Sequence, residues 1–203
     1  AGVSVAIGLF LAKDGDYLES ALLWHKCSGV LLYFFSVVVF VLTNHGEATA
    51  RVAAVVTVLL VVVAGHFGGS LTHGENFVLA PIAREEKTEV TLEDAIVFEH
   101  VVRPIFDAKC KSCHNPLKRK GQLLLTDSAS LMTGGKNGPV LVSGKPEESL
   151  LMHRLHLPLE DKEHMPPDDR PQLTDEEKML LYRWVQSGAV FGARVSDLAE
   201  SDS

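Results

Sequence analysis

The chain has 203 residues and a formal net charge of −7, which argues against a nucleic-acid-binding role. Its three cysteines, Cys27, Cys110 and Cys113, are too few for the disulfide framework of a small secreted fold. Hydrophobic residues make up 46% of the chain but are unevenly placed: only Lys13, Lys26 and Arg51 are basic before residue 81, and most of the charge lies beyond it.

The opening "AGVSVAIGLFLA" lacks the basic start of a signal peptide and reads as the end of a span that begins upstream. Residues 21–42, "ALLWHKCSGVLLYFFSVVVFVL", and 52–70, "VAAVVTVLLVVVAGHFGGS", are each about the 20 residues that a membrane-spanning helix needs. Their valine content suits buried strands, but strands usually stop at about 4–8 residues, so length decides for helices. The sequence therefore predicts a membrane domain over 1–81, with a partial span at 1–12. Of the two connecting loops, "KDGDYLES" is acidic and "TNHGEATAR" carries Arg51. The positive-inside rule then puts the second loop in the cytoplasm and everything after residue 70 on the outer, periplasmic face of a bacterial inner membrane.

His25 and His66 stand near the outer ends of the two spans. His25 precedes Leu42 by 17 residues and His66 follows Val52 by 14, so in antiparallel helices their heights differ by only about 5 Å. Histidine inside a membrane is uncommon enough to suggest function. Two facing imidazoles would suit a b-type haem, and Gly65, Gly68 and Gly69 would let a flat ring approach. Interfacial histidines on a plain anchor, or a quinone-site or proton-relay role, are the competing readings. His73, seven residues beyond His66, is an alternative ligand if the helix passes the glycines, and His45 falls in the opposite loop.

Beyond a linker at 82–91, helix signals dominate and no sustained alternating pattern occurs. Thr91 with Asp94 resembles a capping box opening a helix through about Val102, which Arg103-Pro104 should break or restart. Pro146 suits the first turn of a helix through "PEESLLMHRL". Thr174 with Glu177 makes a second capping box, followed by a helix with Leu180, Leu181, Trp184 and Val185 on one side and Gly188 at its end. Phe106 on the opening helix and Tyr182 and Trp184 on the closing one are placed to cross beside a site. The tail 193–203 is acidic and reads as flexible.

The chemistry sits at 108–115, "AKCKSCHN". A redox dithiol would follow a strand of a βαβ unit, and no such pattern precedes Cys110. Zinc would need two further ligands, for which His153 and His156 have no common spacing. The spacing C-x-x-C-H best fits covalent haem c, with Cys110 and Cys113 adding to two vinyl groups and His114 reaching the iron. In "EHMPPDD", Met165 is the best sixth ligand, with Pro166 and Pro167 stiffening the chain behind it, and a thioether raises the potential. His164 is the next choice, then His153 and His156. Lys109, Lys111, Lys118, Arg119 and Lys120 form a basic run that reads as a solvated face or a docking patch for an acidic redox partner. "GGKNGP" at 134–139 lacks the GK[ST] of a phosphate-binding loop and reads as a turn near the haem.

From about Phe106 to Ala189 the C-x-x-C-H, "GGKNGP", "GKPEESLL", "HMPP" and "LTDEE", in that order, closely resemble the planctomycete-type cytochrome c domain. The resemblance implies a small all-α fold at 92–192 with one haem c on Cys110, Cys113 and His114, and Met165 occupies the family's MPP position. Residues 1–81, especially "LLWHKCSG" and "GHFGGSLTHGENFVLAP", are similar to a poorly characterised bacterial cytochrome b-like membrane domain often fused to such cytochromes.

The fold class expected is thus all-α: a transmembrane helical bundle followed by a small cytochrome c domain. The expected function is a membrane-anchored electron carrier, not an enzyme in itself, since no catalytic carboxylate pair or nucleophile triad is present. It would hold one haem c, with a haem b on His25 and His66 as the further option. Partners would be the lipid bilayer and a redox protein or membrane complex. A subunit of a quinol-oxidising respiratory or photosynthetic complex, fed from the quinone pool, and a haem-based sensor or structural anchor stand as alternatives.

Overall fold

A computed structural model describes residues 2–12, 15–42, 46–74, 90–91 and 93–197. His45, the expected linker as far as residue 89 and the last six residues lie outside the described residues. The fold is all-α. Among the described residues the only strands are the two-residue β1 (His114–Asn115) and β2 (Lys118–Arg119). The chain divides into two compact units, residues 1–84 with 116–120, and residues 85–115 with 121–203. The basic run read from the sequence is therefore shared between units, with Lys109 and Lys111 in one and Lys118, Arg119 and Lys120 in the other.

The first unit contains α1 (Gly2–Leu11), α2 (Glu19–Leu42) and α3 (Glu47–His73). α2 and α3 are each long and apolar enough to cross a membrane. They pack on each other through small residues: Ser28, Ala53 and Ala64 are buried, as is Leu71. Close approach of backbones through small side chains is the usual solution for helices in lipid. Trp24 of α2 stacks on Phe67 of α3 (6.2 Å between ring centres), whereas Phe34, Phe40, Val58 and Val62 are all exposed. α3 runs straight through Gly65, Gly68 and Gly69 to His73, and its last turn closes with the Gly74 N–H on the Ser70 carbonyl (2.9 Å).

The second unit is built around one core of Phe98, Val102, Phe106, Leu131, Leu155, Leu181, Trp184 and Val185. Its helices are α4 (Arg103–Lys109), α5 (Ser128–Thr133), α6 (Leu150–His156) and α7 (Asp175–Gln186), with a single turn of 3-10 helix at Pro146–Glu148. At Arg103-Pro104 the helix restarts, as the sequence allowed, and it does so without a gap. A widened π turn at Phe98–Val102 runs directly into α4, and Pro104, which has no N–H to donate, sits harmlessly in the first turn of α4. Thr91 and Asp94 do interact, hydroxyl to carboxylate at 3.2 Å, but they close a turn and the helical path begins only at Val97.

The helix expected from Pro146 is split. Ser149 takes an extended conformation between the 3-10 turn and α6. The cause is its hydroxyl, fully buried, which accepts from the Val142 N–H (2.9 Å) and donates to the Lys145 carbonyl (2.9 Å), so the turn before the helix competes with the helix for this residue. The second capping box is present in full at Thr174 and Glu177, and Gly188 ends α7 with φ 101°, a left-handed value that glycine adopts at low cost. On α7, Leu181, Trp184 and Val185 face the core as expected, whereas Leu180 is 44% exposed. The chain after Ala189 stays with this unit as far as Asp197: the Val97 N–H reaches the Ala193 carbonyl, the Val195 N–H reaches the Ala95 carbonyl, and Arg194 pairs with Asp94.

Candidate haem-attachment site

α4 delivers the C-x-x-C-H motif. Its last turn is closed by the N–H groups of Cys110 and Lys111, both on the Phe106 carbonyl (2.9 Å each). The chain then coils around one carbonyl, that of Cys110, which accepts from the N–H groups of Cys113 (3.1 Å) and His114 (3.2 Å). This brings both sulfurs and the imidazole onto one short arc. Asn115 is buried and locks the arc, its side-chain amide donating to the Lys111 carbonyl at 2.7 Å. The Leu125 N–H takes the His114 carbonyl from the other side (3.2 Å).

Cys110 and Cys113 are both half-buried and free. Burial is the main force on the Cys110 thiol and pushes it from 9.0 up to about 12, with the neighbouring Cys113 and Glu177 adding to the rise and Lys109 opposing it. A dithiol oxidoreductase needs the opposite, a cysteine whose thiolate is stabilised. Zinc fares no better. Among the described residues no three His, Cys, Asp or Glu side chains converge on one point. His153 and His156 instead line a groove of about 380 Å³ with Glu147, Met152, Leu157, Pro158 and Tyr182. The donor set that remains, two free thiols on one turn followed by an imidazole, fits covalent haem.

The aromatic crossing expected behind the motif is present in part. Phe106 meets Trp184 edge-on with ring centres 6.4 Å apart, and Trp184 also packs on Phe98 (5.6 Å) and Phe191 (5.5 Å). The Trp184 indole N–H donates to the Val190 carbonyl. Tyr182 is turned away, its hydroxyl on the Glu147 carboxylate at 3.0 Å. "GGKNGP" forms a tight turn, with Gly135 and Gly138 exchanging N–H and carbonyl and the Lys136 N–H on the Gly121 carbonyl (2.8 Å).

Met165 is half-buried on a turn anchored to α6: its own N–H donates to the Arg154 carbonyl (3.1 Å), and Arg154 reaches back to the Glu163 carbonyl (3.1 Å). His164, the next choice as sixth ligand, is fully engaged. It is buried, with Nδ1 2.7 Å from the Leu157 carbonyl and Nε2 2.9 Å from Gln172 Oε1, so neither nitrogen is left for iron. Gln172 carried no signal in the sequence. The two N–H bonds of its amide are shared among the carbonyls of Pro166 (3.1 Å), Pro167 (2.8 Å) and Arg170 (3.0 Å). Lys109, read from the sequence as part of a surface patch, is turned inward. Its ammonium donates to the Gln172 carbonyl at 2.9 Å and lies 3.8 Å from Glu177. Lys111 pairs with Asp107 at 3.0 Å.

In the first unit, His25 packs on α3 level with residues 64–68. Its Nδ1 donates to the Ala64 carbonyl (3.3 Å), and its ring lies so close to Gly68 that a Cβ there would stand 2.8 Å from Cε1. The expected depth is therefore met, and the glycine does admit a flat ring, that of the histidine itself. The expected facing is not. His66 is two residues from Ala64, about 200° around the helix, and it is exposed with its ring against Phe67. His73 is likewise exposed.

The family model described as Planctomycete cytochrome C matches residues 110–169, which take in Cys110, Cys113, His114 and Met165. No curated protein and no solved structure matches the chain. The match supports a cytochrome c domain in this part of the chain, and domains of that kind carry electrons on haem c.

Proposed function

We propose that this chain is a membrane-anchored c-type cytochrome that carries electrons at the outer face of a bacterial inner membrane. The single observation that carries the haem reading is the arc at 110–114, where one carbonyl gathers two free cysteines and a histidine inside the region matching the cytochrome family. Cys110 and Cys113 would hold haem c as thioethers, His114 would be the proximal ligand and Met165 the distal one. When bound, haem c supplies a one-electron iron couple whose potential a thioether ligand raises. The chain's own work is to exclude water and hold the ligands still. Trp184, Phe98 and Phe106 pack the wall behind α4, while α6 fixes the backbone at Met165.

Supporting the membrane reading, α2 and α3 expose large apolar side chains along most of their length, an arrangement that lipid tolerates and water does not. The outer-face orientation is supported by Arg51, near the start of α3 at the inner end of the pair, and by covalent haem attachment being an extracytoplasmic reaction. We assign the haem to the second unit alone. A haem b on His25 and His66 of one chain draws no support from a geometry in which the two imidazoles point to different sides of α3. The electron partner is a redox protein or membrane complex, and a subunit role in a quinol-oxidising assembly remains the second reading.

The test is covalent retention. The full chain, expressed with haem-attachment machinery, should stain for haem peroxidase activity on a denaturing gel and give a haem c pyridine haemochrome with one haem per chain. Replacing Cys110 and Cys113 by Ala should abolish both signals. A colourless wild-type band overturns the proposal.

A further inference from the structure

We propose that Gln172 is the positioning residue for the distal ligand Met165, a role that rests on reading Met165 as the axial thioether. A thioether is neutral and a weak ligand, so its hold on iron depends on a loop that already presents the sulfur and does not need to be ordered at each binding event. The two residues that follow Met165 are stiff but cannot donate a backbone hydrogen bond to tie the turn to its surroundings. Pro166 and Pro167 have no N–H, so carbonyls are the only backbone polar groups they offer, and Pro166 is buried. The Pro167 carbonyl accepts from the Arg170 N–H (2.9 Å) as well as from Gln172, and the Pro166 carbonyl takes its partner from the Gln172 amide. Its two N–H bonds are shared among both proline carbonyls and that of Arg170. Its oxygen faces Nε2 of the buried His164, the residue just before the ligand, and the other ring nitrogen of His164 is held by Leu157 at the end of α6.

One side chain thus grips the chain on both sides of Met165. The backbone of the same residue extends the tie. The Gln172 carbonyl accepts from Lys109, the neighbour of Cys110, so the distal turn is joined through Gln172 to the helix that carries the first thiol. Lys109 is held there in turn by Glu177, whose carboxylate also caps α7 through the Thr174 N–H (2.9 Å). Only a primary amide of this length serves. A carboxylate would still face His164 but would repel three carbonyls, and asparagine is one methylene short. A fold-stabilising role alone would be felt across the unit; a positioning role is felt at the sulfur.

The experiment uses the haem-loaded full chain in detergent and reads two quantities: the near-infrared sulfur-to-iron band of the oxidised protein, and the affinity for added imidazole, which competes with the thioether. In Gln172→Glu, haem per polypeptide should be unchanged, the band should weaken or vanish, and imidazole should bind about tenfold more tightly, the change expected when a buried hydrogen-bonding group loses its partners. Gln172→Ala should behave alike. Ser143→Ala removes one hydrogen bond to Gly188 (2.6 Å) away from the turn and should leave both readouts at wild-type values. Wild-type band and affinity in Gln172→Glu, with the band lost in Met165→Ala, overturn the positioning role and leave the ligand reading intact. Equal effects in Ser143→Ala overturn it too, since the change is then general loosening. No band in the wild type, or a band that survives Met165→Ala, overturns the ligand reading and this role with it. Should Gln172→Ala not accumulate as folded protein, Gln172→Asn takes its place, and an unchanged band there counts against the proposal.

Discussion

The two units of this chain bury opposite kinds of side chain. In the first, the seam between α2 and α3 hides Ser28, Ala53 and Ala64, while Phe34, Phe40 and Val62 face outward. In the second, Trp184, Phe106 and Leu131 are inside, and the outer face of α7 carries charges. The contrast is the one expected of a first unit assembled in lipid and a second assembled in water. Where the surroundings are as apolar as the side chains, burying a large residue gains little, and helices associate through small residues and close backbone contact. Where the surroundings are water, removal of apolar area is the main driving force, and the largest side chains go to the centre. A flat ring obeys the local rule in each case: His25 fits over Gly68 in the first unit, and Trp184 is surrounded by Phe98, Phe106 and Phe191 in the second.

Five substitutions break or sharpen this comparison. Trp184→Ala should have the largest effect, a loss of about 3–5 kcal/mol from the second unit, read as a shift in denaturant unfolding followed at the haem absorption. No single truncation in the first unit has an equivalent residue to remove. Next comes a matched pair of exposed apolar positions. Val62→Arg, at a residue 63% exposed on α3, should cost roughly 2.5–3.5 kcal/mol of membrane insertion and cut the amount of chain in the membrane fraction. Met179→Arg, at a residue 54% exposed on α7, should change unfolding of the second unit by no more than about 0.5 kcal/mol. If both arginines are equally harmless, the outward face of α3 does not meet lipid. Smaller still, Thr174→Ala removes the oxygen that accepts the Glu177 N–H and should destabilise the second unit by about 1 kcal/mol in the same unfolding measurement. The least effect belongs to Arg51→Ala. Its pair with Glu47 is solvent-exposed, so about 0.3 kcal/mol of helix stability is at stake, and its larger consequence should be on orientation, read by protease access to the domain after residue 90.

Much of the molecule was legible in the sequence because its signals are local. An apolar run of about 20 residues is a helix-length statement about solvent, C-x-x-C-H is a spacing demanded by one macrocycle, and the Thr174–Glu177 box is a reciprocal bond across a single turn. What the sequence could not determine are facings and long-range bonds. Matched depth for His25 and His66 came from counting rise along two helices. Facing depends on which stripe of α3 packs, and small residues at 53, 64 and 68 turned His25 to Ala64, 39 residues away, and left His66 outside. Lys109 read as a surface charge because nothing nearby contradicts it, and its acceptor, the Gln172 carbonyl, lies 63 residues further on. Ser149 looked like a helix residue until the turn at 142–145 claimed its hydroxyl. The sequence by itself therefore determined the two long apolar helices, the all-α class and the candidate haem-binding residues. Only the tertiary structure decided which histidines meet, where a lysine's charge is spent, and that an unremarkable glutamine grips the turn bearing Met165. Spacing along a chain constrains neighbours within a helical turn, whereas a side chain's distant partner exists only once the helices have packed.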